Sequence, residues 1–531
     1  MRIPAAVVLG GLLLVAFAPV AVQAQGAAAA PRVRVAGGML EGTVAQSGVS
    51  MFRGIPFAAP PVGQLRWKAP QPVSAWKGVR PAAGFGPRCM QLPIFNDMQF
   101  RSNGVSEDCL YLNVWVPAGA KRGSKLPVLV YYYGGGNVAG DGSEYRYDGE
   151  SMATKGIVAV TVNYRLGAFG FLAHPELTAE SPHHASGNYG LLDQSAALRW
   201  VHDNIAAFGG DPARITIGGE SAGSFAVSAQ MASPLSRALI AGAIGESGAI
   251  VGGRTVPLAQ AEASGQTFAT SLGARSLAEL RAIPADSLLR ATGGANAFRF
   301  GVTVDGWFFP RTPDEIYTAG EQAHVPLLAG WNTQEGFWRQ LLGEQEPTPE
   351  NYTAALRKIF GDVTEPALKA FPGSTPEEVM ASGTVLAGAR FIAYGTWKWL
   401  ELQGRTGKPV FRYLYARPRP ATVAPSNTPP PTGAVHSAEI EYALGNLGSN
   451  KVFAWTPDDY EVSRVMQAYF VNFVKKGDPN GRGLPAWPAS RGPDVQTMIL
   501  DVHPHAQPEP YRNAFWFLDG FYAGQKVSQN R

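Results

Sequence analysis

The chain has little of what marks the specialised classes of protein. Cysteine occurs only twice in 531 residues, at Cys89 and Cys109, which is too sparse for a disulfide scaffold. Those two cysteines and eight histidines show no zinc-ligand spacing, and the adjacent His183 and His184 read as a surface pair. No metal and no organic cofactor is expected. A surplus of one charge is also missing. The formal charge is +4 with no basic stripe or basic helix, so nucleic acid is not an expected partner. Beyond the first two dozen residues no apolar run approaches a transmembrane helix, and the mature chain is expected to lack one. Core-forming residues are not scarce: 45% are hydrophobic, which excludes a disordered chain.

What is present begins with a leader. Arg2 precedes an apolar core from Ala5 to Val20, and Val22-Gln23-Ala24 follows at the cleavage positions. Residues 1–24 read as a secretory signal cut before Gln25, with an uncleaved membrane anchor as the alternative. Residues 25–31 read as an alanine-rich connector. The protein is therefore expected to be secreted or periplasmic. Export favours a bridge between Cys89 and Cys109 over two buried thiols, and closing that loop would stabilise by about 3 kcal/mol.

Short alternating runs, Arg32 to Ala36, Met39 to Ala45 and Val49 to Arg53, predict antiparallel strands. Longer apolar runs predict strands of a mainly parallel, doubly covered sheet. They are Leu126 to Tyr133, Ile157 to Asn163, Arg214 to Ile217, Ala241 to Ile244, Val325 to Ala329 and Val410 to Tyr415. Leu192, Ala196, Trp200 and Ile205 recur at helical spacing within Tyr189 to Phe208, and Gly209-Gly210 closes that helix. Strands alternating with helices indicate an α/β fold in one domain, from residue 32 to 523, with 524–531 as a tail. Ala259 to Ala295 and Thr348 to Glu401 read as helical insertions capping the sheet, and Ala416 to Thr432 as a stiff proline-rich loop.

Chemistry is concentrated after one strand. Gly219-Glu220-Ser221-Ala222-Gly223 lies between the apolar run ending at Gly218 and a helical stretch from Ser224 to Met231. Strand, Gly-x-Ser-x-Gly and helix together form the nucleophile elbow of α/β-hydrolases, which makes Ser221 a candidate nucleophile. Gly245-Glu246-Ser247-Gly248-Ala249 repeats the first three residues but ends in alanine, so it fails the pattern. A serine hydroxyl needs a base, and histidine is the usual one. Of the histidines after Ser221, His324 precedes a strand, while His503 and His505 lie in a polar stretch near the C-terminus. His436 follows a strand and a rigid loop, where a catalytic histidine belongs. Glu335, after the strand Val325 to Ala329, is the candidate acid that orients it. Gly134-Gly135-Gly136 follows the strand ending at Tyr133, and its backbone N–H groups can converge on an oxyanion. Gly135, Gly136 and Ala222 are the expected donors.

These pieces resemble the type-B carboxylesterase family, which includes cholinesterases and bacterial esterases of the para-nitrobenzyl and fumonisin-esterase kinds. The resemblance runs from Phe52-Arg53-Gly54-Ile55-Pro56 through Glu107-Asp108-Cys109-Leu110-Tyr111-Leu112-Asn113 and Asn163-Tyr164-Arg165-Leu166-Gly167. It continues through Gly187-Asn188-Tyr189-Gly190-Leu191-Leu192-Asp193-Gln194 to the elbow and on to Tyr442. It implies an α/β-hydrolase fold, a small-molecule ester substrate, the triad Ser221, Glu335 and His436, and a Cys89–Cys109 disulfide. Glu220 and Ser247 fall where relatives line or buttress the site. Ser247 would bond near Glu335, or simply pack in the core.

The departures bear on substrate. Tyr133 and Asn137 flank the glycines where histidine and an aromatic are common, and Asn137 makes the pocket mouth more polar. The segment between the cysteines holds Phe95 and Phe100 but no tryptophan, so choline esters are not indicated. Esters with carboxylate-bearing acyl groups would need arginines at the mouth, and Arg146 and Arg339 are the candidates. A non-catalytic binding protein and an acyl transferase using the same triad are the competing readings.

Overall fold

The computed structural model describes residues 30–253, 255–293, 299–424, 431–490 and 494–529. The expected signal segment, residues 25–29 of the connector and part of the proline-rich loop lie outside them.

An eleven-stranded sheet forms the centre. In chain order its strands are β1 (Thr43–Val44), β2 (Ser50–Pro56), β3 (Tyr111–Val116), β4 (Leu126–Tyr132), β5 (Val158–Val162) and β6 (Gly210–Glu220). The others are β7 (Gly242–Glu246), β8 (Leu327–Asn332), β9 (Val410–Tyr415), β10 (Gln496–Leu500) and β11 (His505–Pro508). Their spatial order is β11-β10-β9-β8-β7-β6-β4-β5-β3-β2-β1. From β10 to β5 every neighbouring pair is parallel, and the remaining strands add antiparallel edges. Every residue of β5, β7, β8 and β9 is buried, which is why these strands read as mainly apolar runs.

Three strands of this sheet are not legible as strands in the sequence. In β3 the polar Asn113 interrupts the run, yet its side chain is buried, donating to Thr161 and accepting from the Gly54 N–H. The two strands β10 and β11 are short, and β11, in the polar stretch around His505, is a sheet edge ending in proline. Strand β6 is longer than the predicted run Arg214 to Ile217: it opens at Gly210, shifts register before Ile215 and ends at Glu220.

Helices pack on the sheet: α1 (Tyr189–Asn204), α2 (Ala222–Ala232), α3 (Tyr394–Gly404), α4 (Pro457–Lys476) and α5 (Arg512–Gln529). A 3-10 turn extends α1 to Phe208, and Gly209 ends it at φ +89°, a left-handed position that glycine occupies without strain. Helix α5 runs through the boundary expected at residue 523.

The family-like motifs are each other's partners. Arg165 makes a buried bidentate pair with Asp193 at 2.7 and 2.8 Å, joining the Asn163–Gly167 stretch to α1. Arg66 does the same with Glu107, both bonds 2.6 Å, beside Cys109. Cys89 and Cys109 form a disulfide. Among the described residues no helix is long and apolar enough to cross a membrane.

Candidate active site

Ser221, Glu335 and His436 come from loops that leave the C-terminal ends of β6, β8 and β9, the edge where open parallel sheets place their ligands. Ser221 sits in the turn itself at φ +52° and ψ −121°, with its N–H bonded to the Glu246 carbonyl at 2.8 Å. The two elbow glycines are sterically required. A Cβ on Gly219 would lie 2.6 Å from the Gly223 backbone, and one on Gly223 only 2.0 Å from the Tyr132 carbonyl oxygen.

The acid and base loops are joined to each other before they meet the serine. Gln334 N–H donates to the Ala434 carbonyl at 2.8 Å, and the Asn332 amide reaches the Val435 carbonyl at 2.8 Å. This places His436 Nδ1 2.6 Å from Glu335 Oε2 and Nε2 3.0 Å from Ser221 Oγ. Glu335 is itself held through Oε1, which accepts from the Asn332 N–H at 2.7 Å and from Ser247 Oγ at 2.5 Å. Nδ1–H donating to Glu335 leaves Nε2 as acceptor for the serine proton, the tautomer that general-base chemistry needs.

The glycine loop abuts the elbow: a Cβ on Gly134 would stand 2.4 Å from Glu220 Oε2 and 3.1 Å from Ser221 Cβ. Gly135 and Gly136 have φ of +111° and +63°. Neither N–H donates to an acceptor among the described residues, while the Gly135 carbonyl closes the turn by accepting from Val138 and Ala139. Ala222 opens α2, where N–H groups have no intrahelical acceptor. Tyr133 suits its place ahead of the glycines. Its ring stacks on Tyr164 at 4.3 Å, and Tyr164 Oη donates back to the Tyr133 carbonyl at 2.6 Å. Gln91, from the disulfide-closed segment, grips Gly140 by both its N–H (2.9 Å) and its carbonyl (2.8 Å). Sequence reasoning missed Gln91, whose role is visible only once the segment is folded over the loop.

The base sits in an acidic setting. Glu220 Oε1 lies 3.3 Å from His436 Nε2 and accepts from Ser437 Oγ at 2.5 Å. Burial opposes a charge on His436, but the carboxylates of Glu335 and then Glu220 outweigh it and raise the proton affinity of the imidazole above its ordinary value. Burial raises Glu220, and it pushes Glu439 up to about 8 with help from Glu220 and Glu335. Glu439 accepts from the Asn332 amide at 2.5 Å and lies 3.2 Å from Ser247 Oγ. Glu246 is fully buried with Tyr131 Oη at 3.0 Å as its partner, and burial holds its carboxyl well above the usual range. Glu246 and Glu439 were not foreseen, although Glu439 follows His436 by three residues and Glu246 stands beside Ser247.

The other candidates are more distant from this chemistry. Asn137 is half-buried at φ +59°, and its carbonyl accepts from the Gly167 N–H at 2.7 Å. Arg146 is buried, paired with Glu144 and with Asp97 at 3.1 Å. Its attraction to carboxylates is already satisfied by these two residues. Arg339 is exposed, with its guanidinium 4.3 Å from the Trp338 ring centre. His324 and His505 are exposed and bond backbone carbonyls, and His183 stacks on Trp307 at 3.8 Å.

A profile of the carboxylesterase family matches residues 29–516. The chain belongs to the carboxylesterase family. Fumonisin B1 esterase of Sphingopyxis macrogoltabida is 35% identical, over 85% of this chain and 83% of that one. Para-nitrobenzyl esterase of Bacillus subtilis is 34% identical, over 87% and 93%. Cocaine esterase of Homo sapiens is 33% identical, over 89% and 87%. A solved PNB esterase structure superposes with a TM-score of 0.77 at 32% identity, covering 92% of this chain and 99% of that chain. The α/β-hydrolase fold and an activity on carboxylic esters follow for this esterase.

Proposed function

We propose that this carboxylesterase is an exported serine hydrolase working through an acyl-enzyme on Ser221. His436 Nε2 takes the Oγ proton as Oγ adds to the ester carbonyl, and Glu335 stabilises the imidazolium that forms. The N–H groups of Gly135, Gly136 and Ala222 receive the carbonyl oxygen as it becomes negative. His436 then protonates the departing alcohol, activates water, and the acyl group leaves as the acid. The observation carrying this reading is the unbroken line from Ser221 through His436 to Glu335, at 3.0 and 2.6 Å. Export is supported by the leader-like first residues and by the Cys89–Cys109 bridge, which persists in oxidising compartments.

Neutral esters are the substrate class we favour. A carboxylate-bearing acyl group, as proposed from the likeness to fumonisin esterases, needs free cations; Arg146 is already paired with two carboxylates, which leaves the exposed Arg339, set over the Trp338 ring, as the one candidate of the two. The test is an ester panel of varied acyl length and charge, run on wild type and Ser221→Ala, with mass spectrometry of enzyme quenched during turnover of a slow ester. An acyl adduct on the Ser221 peptide is expected. Full activity of Ser221→Ala would overturn the mechanism, and a preference for anionic acyl groups would overturn the substrate class.

A further inference from the structure

One large apolar side chain next to the site is neither buried nor explained by the fold. Phe391 is 53% exposed, and its ring stands edge-to-face with the His436 imidazole, centres 5.1 Å apart at 74°. It is carried by a π-helical turn, Ala389–Ala393, between the helix Pro376–Gly388 and α3. Such one-residue widenings are rare and concentrate at functional sites. The residue that leads into this turn packs against the acid loop: a Cβ on Gly388 would meet Glu335 Cβ at 3.1 Å. The turn's other apolar residues, Ala389, Ile392 and Ala393, are buried. The turn thus starts from a residue packed on Glu335, while Phe391 is left in the open over the base.

From this juxtaposition, and resting on the mechanism proposed above, we infer that Phe391 is a specificity-determining residue for the alcohol portion of the ester. In acylation the Ser221 Oγ–carbonyl bond forms, the carbonyl–O bond to the alcohol breaks, and the proton taken from Oγ passes from His436 Nε2 to the departing oxygen. That oxygen must come within about 3 Å of Nε2. The first carbons attached to it then lie beside the imidazole, and any larger alcohol group meets the ring that flanks it. An exposed phenyl face offers apolar and aromatic groups an offset or edge-on contact that a methyl group cannot make. The alcohol has left before water attacks the acyl-enzyme, so Phe391 contributes to acylation and not to hydrolysis of a given acyl-enzyme. The substrate class implied is esters of bulky apolar or aromatic alcohols.

The test uses acetate esters, which share one acyl-enzyme whatever the alcohol. Methyl, butyl and 1-naphthyl acetates are compared on wild type, Phe391→Ala and Phe391→Leu. For Phe391→Ala, kcat/KM should fall roughly 3- to 10-fold for the naphthyl ester and by less than about twofold for the methyl ester. Phe391→Leu should recover part of the butyl but little of the naphthyl rate, and deacylation of the acetyl-enzyme, read by single-turnover chase, should be unchanged. An equal fall across all three alcohols overturns the inference, because it marks a general effect on His436. A larger change along an acyl series at fixed alcohol overturns it too. Failure of the underlying mechanism is read separately, from Ser221→Ala.

Discussion

Two adjacent strands of this molecule run into the same three residues, Gly-Glu-Ser, and set them in different surroundings. Strands β6 and β7 pair in parallel with Gly219 opposite Gly245 and Glu220 opposite Glu246, and the serine after each stands at φ +52°. Ser221 N–H bonds the Glu246 carbonyl, and Ser247 N–H bonds the Gly330 carbonyl one strand further on. The backbone turn is therefore nearly the same, and what differs is the surroundings. Ser221 Oγ meets His436 Nε2, at the start of a helix and beside the glycine loop. Ser247 is fully buried and meets Glu335 and Glu439. Positive φ in a non-glycine residue, costing on the order of 1–3 kcal/mol, does not by itself make a nucleophile. A base within reach and a place for the oxyanion do.

The largest break in this comparison is chemical. Ser221→Ala should lower kcat by about 10⁴-fold or more, as loss of a nucleophile does, whereas Ser247→Ala should retain measurable turnover. Steady-state kinetics on one neutral ester, with circular dichroism to show both variants folded, checks this. Comparable losses in the two variants would remove the distinction between the serines.

The fifth residue of each turn gives a second, steric contrast. Gly223→Ala drives a methyl group to 2.0 Å from the Tyr132 carbonyl, against backbone that cannot yield cheaply. A cost of about 3 kcal/mol or more is expected, read as a lowered midpoint in urea unfolding. The matching position in the second turn already carries Ala249, buried without such a conflict. Wild-type stability of Gly223→Ala would mean that the turn is less tightly packed than its geometry implies.

This contrast also explains how much could be read from the sequence. Glycines are legible because a backbone that admits no Cβ leaves a visible gap in the pattern, and so Ser221 and the Gly134–Gly136 loop could be located. His436 and Glu335 were legible through chain order and their following a strand. The parallel strands were legible as apolar runs, while β3, with its buried Asn113, and the short β10 and β11 were not. The carboxyls of Glu246 and Glu439 were illegible for a different reason. Their burial depends on segments about a hundred residues or more apart in sequence meeting at one sheet edge, and a glutamate ordinarily faces water. The fifth residue sets Ser247 apart from the elbow pattern, while its contact with Glu335 depends on a neighbour 88 positions away.

Ser247→Ala should have an intermediate effect. It removes a 2.5 Å hydrogen bond to Glu335 Oε1 and leaves the bond from the Asn332 N–H at 2.7 Å. A hydrogen bond to a charged group contributes about 1.5–3 kcal/mol, so a fall in kcat of roughly 10-fold or more is expected with KM little changed. An unchanged kcat would reduce Ser247 to core packing.

The smallest effects separate the two glutamates that precede the serines. Glu220 lies 3.3 Å from His436 Nε2 and raises its proton affinity. Glu220→Gln removes that carboxylate, so the imidazole should lose its proton at lower pH. The rising limb of kcat/KM against pH, which follows formation of the neutral base, should accordingly move towards acid. Glu246 is different, because burial and then the nearby Glu439 hold its carboxyl well above the ordinary range and favour its neutral form. Gln matches a neutral carboxylic acid in shape, and its amide oxygen can still accept from Tyr131 Oη, now 3.0 Å from Glu246. Glu246→Gln should thus leave the limb in place, with kcat within about threefold of wild type and unfolding within about 1 kcal/mol. Only one of the paired glutamates then communicates with the base, although both end a Gly-Glu-Ser strand. Equal shifts of the limb in the two variants would show instead that Glu246 carries a charge, and that the buried carboxyls titrate as one coupled group around His436.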